Sequence, residues 1–228
     1  MATPSARRVA QRALVLCAVT MRAYLEGEGA PDTPEYHQRM LTWLDGQPIG
    51  DEFERAERSF VWAPIGKLGK KKVTEAHWRS EGLGVLAWSL GRAQLPALHE
   101  EVDQQKTAKG LGFMHEPIVL KGPKLRGIAE RRRHARLARA IHWRLREMHR
   151  TRQRLDLQAV ASVLPLVAPL LDGDVPLVDG DLRLGRRAVH RATPGEIQHA
   201  LSIAAERHLA FGWLVGAEVI YSEVDRPT

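Results

Sequence analysis

Four side chains stand out for the chemistry they could support. His77 precedes Glu81 by four residues in "TEAHWRSEGLG", a spacing that sets an imidazole and a carboxylate on one face of a helix. Arg207 and His208 are adjacent in "ERHLAFGWLVG". Brought together, the four would form a small acid–base site between helices, with a proton carrier, a carboxylate and a cation to hold an anionic group. The same residues also have a structural reading. Glu81 has Trp78, Val85 and Trp88 at helical spacing, and Arg207 has Ala200, Ile203, Phe211 and Leu214. A lone charge buried in such a stripe costs several kcal/mol. Glu81 and Arg207 are therefore expected to meet as a bidentate ion pair that fixes helix register, with Glu206 as a second candidate acceptor. The pair is the leading expectation and catalysis the lesser one.

Other constellations fall short of a site. "AWSLG" places small residues on either side of Ser89, but a nucleophile elbow joins a strand to a helix and Ser89 lies near a helix end. His99-Glu100-Glu101 lacks a second histidine. His142 and His149 are seven residues apart, about 10 Å along a helix and too far for one metal. Asp179-Gly180-Asp181 has too few carboxylates for a calcium loop, and "APIGKLGKKK" lacks phosphate-loop spacing. No metal and no cofactor is expected.

The elements that must position these residues are mostly helices. Thr3-Pro4 opens a first helix reaching Glu26, with Arg8, Gln11, Arg12, Arg22 and Glu26 on its polar side and Gly27 and Gly29 as its stop. Thr33-Pro34 opens a second, through Leu44, and Asp51 with Glu54 a third, to about Trp62. Thr74 is expected to cap the helix that carries His77 and Glu81. Leu95 to Gln105 reads as helical, Lys106 to Leu120 as irregular, and Leu155 to Leu171 as a helix bent at Pro165 and Pro169. "VPLVDGDLRL" is a hairpin signal over about residues 175–184. Thr193-Pro194-Gly195-Glu196 is a capping box that opens a last helix through about Val215. The expected architecture is a single, mainly α domain over residues 1–228, a multi-helix bundle with one small β-hairpin.

Between these elements lies a basic helix, roughly residues 124–153. From Lys121 to Arg154 the chain carries Lys121, Lys124, Arg126 and ten arginines against Glu130 and Glu147, a net +11 within a chain of net +7. The basicity is therefore local. Leu137, Ala138, Ile141, Leu145 and Met148 form the apolar face; Arg132, Arg136, Arg139, Arg146 and Arg150 lie away from it, with Trp143 among them. An aromatic ringed by guanidinium groups suits base stacking with phosphate contact, or an acidic protein partner, or plain packing under a neighbouring helix.

The single cysteine, Cys17, lies in "ALVLCAVTM" and reads as core filling in a reducing compartment. That apolar run is too short for a membrane span and lacks a cleavage site after it, so a cytoplasmic protein is expected.

"WRSEGLGVLAWSLG", "IHWRLRE", "DGDLRL" and "ERHLAFGWLVG" occur in the order found in the bacterial family catalogued as domain of unknown function 4272, which this chain resembles from its first helix to its closing "VDRPT". The resemblance implies a cytoplasmic, mostly helical domain and no particular reaction; Gly212 stands where the last motif has an asparagine. The leading functional expectation is a non-enzymatic interaction protein that turns its basic helix toward an acidic protein. Sequence-independent nucleic-acid binding through the same helix comes second and an enzyme built on His77, Glu81, Arg207 and His208 third.

Overall fold

A computed structural model describes residues 2–28 and 32–224. As expected, the chain is mainly helical, with a small antiparallel sheet. Its contacts divide it into an N-terminal unit, Pro4–Leu95 with Val102–Arg126, and a C-terminal unit, Gly127–Thr228 with Pro96–Glu101 and Met1–Thr3.

The N-terminal unit holds α1 (Ala6–Glu28), α2 (Thr33–Asp45), α3 (Arg55–Val61), α4 (Lys70–Ser89) and α5 (Gln104–Leu111). Helix α1 is central: its most extensive packing is on α4, and it also touches α2, α3 and α5. Its run from Ala13 to Thr20 is buried all round, as a helix ringed by neighbours requires. Thr20 is accommodated there because its hydroxyl donates to the Leu16 and Cys17 carbonyls, and burial pushes the Cys17 thiol far above its ordinary pKa, which keeps it protonated and inert. Helix α4 is buried without a break from Ser80 to its last residue, Ser89.

Several boundaries differ from expectation, each for a local reason. Helix α1 starts two residues later than Thr3-Pro4 suggested, with the Ser5 hydroxyl accepting from the Arg8 N–H. Gly29, expected as its stop, lies outside the described residues, as does most of the closing "VDRPT". The cap of α3 is Glu54, in a reciprocal box with Glu57, and Asp51 sits in a preceding 3-10 turn. Helix α4 begins at Lys70 after an extended Gly69, so Thr74 is inside it rather than at its cap. Residues 95–103 are not helical: Pro96 biases Leu95 to extended backbone, and Asp103 caps α5, which occupies part of the stretch read as irregular.

The polar side of α1 is not its wet side. Arg12 and Arg22 are almost fully buried. Arg8 Nε reaches Glu52 at 2.6 Å, Arg12 Nη1 reaches the Glu52 carbonyl at 2.8 Å and Glu57 at 2.9 Å, and Arg22 donates to the Ala63 and Pro64 carbonyls. Glu26 accepts from the Gly66 and Leu68 N–H groups at 3.0 and 2.9 Å and pairs with Arg22 at 2.7 Å. One helical stripe thus fixes the connection from Glu52 to Leu68. Burial disfavours the Glu26 carboxylate, but the Leu68 N–H, Arg22 and the Gly66 N–H outweigh it and hold its pKa below the usual 4.5. A carboxylate with a lowered native pKa contributes stability above its unfolded value and loses it as pH falls through the native one. Glu26→Gln is therefore expected to be less stable than wild type at pH 7 and to converge with it in acid. Chemical denaturation at a series of pH values checks this; a pH-independent difference would contradict it.

The C-terminal unit holds α6 (Ile128–Thr151), α7 (Leu157–Val160), β1 (Leu177–Val178), β2 (Asp181–Leu184), β3 (Arg187–Ala188) and α8 (Pro194–Leu214). Helices α6 and α8 pack along each other. The Asp-Gly hairpin is present, and both Asp179 (φ 53°) and Gly180 (φ 78°) take the left-handed backbone that a tight two-residue turn demands. A third strand extends it, β2 pairing with β3 through Arg183 to Ala188 and Leu184 to Arg187. The stretch Leu155 to Leu171 is not one bent helix: α7 is a single turn capped by Asp156, Leu164 is extended before Pro165, and residues Pro165–Leu170 form a 3-10 helix. The capping box of α8 is as expected, Thr193 accepting from the Glu196 N–H while Glu196 accepts from the Thr193 N–H.

Candidate functional site

Helix α6 sets its apolar side, Leu137, Ala140, Leu145 and Met148, into a core with Leu157, Val167, Leu170, Leu182, Ile197 and Ala200. Ile141 and Trp143 pack partly buried against the same core. Trp143 therefore packs against the core and is only partly exposed.

The arginines divide by what they touch. Arg144 is fully buried and makes a bidentate pair with Asp181, Nε to Oδ1 at 2.8 Å and Nη2 to Oδ2 at 2.5 Å, while Nη2 also donates to the Gln153 carbonyl. Arg131 is buried and donates to the Leu214 carbonyl at 2.9 Å, so a cation meets the negative end of α8. Desolvation, with Arg132 beside it, pulls the Arg131 pKa down from the usual guanidinium value. Arg133 pairs with Asp174 at 3.2 Å, Arg150 with Glu147 at 2.8 Å, and Arg152 and Arg154 donate to the Ala192 and Asp179 carbonyls. Arg146 is half-buried. Arg132, Arg136 and Arg139 remain: all three are exposed, and none has an acidic partner among the described residues. They fall at i, i+4 and i+7, a single stripe of the N-terminal half of α6.

The residues considered for catalysis are placed as follows. His77, on α4, is exposed, its ring edge-on to Trp78. Glu81, one turn on, is fully buried and accepts from the Val102 N–H at 2.8 Å. The same approach of Val102 explains Gly84, where an added Cβ would lie 2.4 Å from a Val102 methyl. Arg207, on α8, is buried and donates to the Pro96, Ala97 and Glu100 carbonyls at 3.1, 3.1 and 2.8 Å, holding that loop. Glu81 and Arg207 thus lie in different units, each with backbone partners of its own. His208 meets His142, Nδ1 to Nδ1 at 3.0 Å, a contact in which one ring donates and the other accepts, so at least one is neutral. Projection of α6 alone sets His142 and His149 on one side, seven residues apart; the packing of α6 on α8 brings His142 to His208. Ser89 is buried and spends its hydroxyl on the Leu86 carbonyl. No group of three or more histidine, cysteine or acidic side chains is poised for a metal among the described residues. Nor is any described helix long and apolar enough to cross a membrane.

The family model described as "Domain of unknown function (DUF4272)" matches residues 1–164. The chain belongs to this family. The DUF4272 match takes in the whole of α6, with its exposed arginine stripe, and His77 and Glu81. It ends before "DGDLRL" and "ERHLAFGWLVG", so Asp181, Arg207 and His208 lie beyond it. No curated protein and no solved structure gives a significant match.

Proposed function

We propose that this DUF4272 protein is a non-catalytic binding domain that presents the stripe Arg132, Arg136 and Arg139 of α6 to an acidic protein partner. The observation that carries the reading is selective use. The other arginines of the run are buried or half-buried, paired or turned to carbonyls, and these three are exposed with no acid among the described residues. Such a stripe steers association and sets specificity for a negative surface.

Magnitude favours protein over nucleic acid. Three phosphate contacts give a logarithmic salt slope of only about −2 on a single strand, too weak for tight sequence-independent binding at physiological salt. Trp143, the candidate stacking residue, is partly buried against the core. The combined substitution Arg132→Glu, Arg136→Glu and Arg139→Glu is expected to abolish retention of poly-L-glutamate at low salt while leaving stability within about 0.5 kcal/mol of wild type, as exposed positions do. Unchanged retention would remove the proposal. A salt slope for an oligothymidylate well beyond about −2 would move the function to nucleic acid.

A further inference from the structure

The N-terminal unit contains a cleft of about 470 Å³ that none of the functional readings above uses. Its volume lies in the range of small-molecule sites, and its walls are chemically mixed in the way such sites are. Tyr24 from α1, Tyr36 from α2 and Phe113 after α5 supply aromatic surface, and Met21 and Met114 add polarisable thioethers.

Two opposite charges stand at the same cleft without ion partners among the described residues. Asp32 occupies the N-cap position of α2, yet its side chain makes no capping hydrogen bond, and it has no cationic partner among the described residues. An aspartate at that position ordinarily spends its carboxylate on the helix. Lys109, in the last turn of α5, is exposed and likewise has no acid among the described residues.

The wall that carries Phe113 and Met114 is rigid. Met114 is held at φ 62°, a conformation costly for a side-chain-bearing residue and one that clusters at ligand clamps. Trp43 fixes the next residue by donating its indole N–H to the His115 carbonyl at 2.8 Å, and it packs edge-on against Phe113 with ring centres 5.0 Å apart. A preformed aromatic wall reduces the entropic cost of binding a flat ligand.

We propose that this cleft binds a free aromatic amino acid, its ring against Tyr24, Tyr36 and Phe113, its carboxylate on Lys109 and its ammonium on Asp32. The combination of aromatic walls with one cation and one anion that have no ion partner among the described residues, at a cleft of this size, selects a molecule that carries a ring and both charges. A purely apolar ligand would leave both charges unanswered, and a simple aromatic acid or amine would leave one.

Calorimetric titration of the full chain with L-phenylalanine tests this, alongside phenethylamine, 3-phenylpropionate and L-alanine, which lack the carboxylate, the ammonium and the ring. Saturable binding of L-phenylalanine is expected, at least tenfold tighter than any of the three. Lys109→Ala and Asp32→Asn should each weaken it about tenfold, the scale of one charge-assisted hydrogen bond. Both positions are exposed, so circular dichroism of the variants should match wild type. Absence of saturation by L-phenylalanine, equal binding of either singly charged analogue, or indifference to both substitutions would each overturn the assignment.

Discussion

Asp181→Ala is expected to destabilise the C-terminal unit by about 3–5 kcal/mol, the cost of stranding a buried charge. Asp181 and Arg144 are both fully buried, and the carboxylate takes two parallel guanidinium bonds while Oδ1 also accepts from the Leu182 N–H at 2.8 Å. Removing the acid leaves the cation with only the Gln153 carbonyl at 3.2 Å among the contacts described above. The pair joins the middle of α6 to the first residue of β2, so its loss loosens the sheet against the helix. The double variant Arg144→Met with Asp181→Leu separates pairing from packing. Because desolvating two charges roughly cancels their attraction, it is expected to be near neutral or to stabilise by up to about 4 kcal/mol. Urea denaturation of the wild type, Arg144→Met, Asp181→Leu and the double variant gives the full cycle, with Asp181→Ala measured alongside. If Asp181→Ala cost less than about 1 kcal/mol, the pair would not have the role assigned to it.

That pair shows how far the sequence could be read. A charge set in an apolar stripe was recognisable: Glu81 and Arg207 are both buried, as their neighbours at helical spacing implied. Arg144 also falls inside an apolar stripe, with Leu137, Ala140, Ile141 and Met148 at helical spacing, whereas Arg12 and Arg22 are buried on the side of α1 that reads as polar. In projection a guanidinium under a returning loop is indistinguishable from one in water, and what covers it is decided tens of residues away. Arg12 answers to Glu52 and Glu57; for Arg144 the stripe was legible and only its partner, 37 residues on, was not. Signals complete within four residues were legible, such as the Thr193–Glu196 box and the Asp179-Gly180 turn. Signals that compete locally were not: Thr74 lies inside α4 because the preceding lysines continue the helix back to Gly69. The strand Arg187–Ala188 is too short to show an alternation. The arginine run was legible as a helix but not as a surface, since most of its charges hold the unit together and only a three-residue stripe is exposed without an acid among the described residues.

Gly112→Ala is expected to cost about 3 kcal/mol, combining a left-handed backbone with overpacking. Gly112 ends α5 at φ 81°, its N–H donating to the Lys109 carbonyl in a common helix-terminating geometry. A methyl group there would lie 2.0 Å from the Glu116 carbonyl oxygen and 2.8 Å from the Ile118 nitrogen. Both are backbone atoms, which cannot rotate aside, and they are bonded to each other at 2.7 Å. The whole turn from Phe113 to Ile118 must therefore shift. Gly66→Ala is the matched control: its φ is 80°, but nothing lies within 4 Å of the added carbon, so only the conformational cost of about 1 kcal/mol applies. The difference in urea midpoints between the two variants measures the close approach by itself. Since Phe113, Met114 and His115 are the residues that would be displaced and also line the cleft of the N-terminal unit, Gly112→Ala should weaken L-phenylalanine binding, whereas Gly66→Ala should leave it intact. Equal stability losses would show that the turn yields freely, and the cleft wall could not then be rigid.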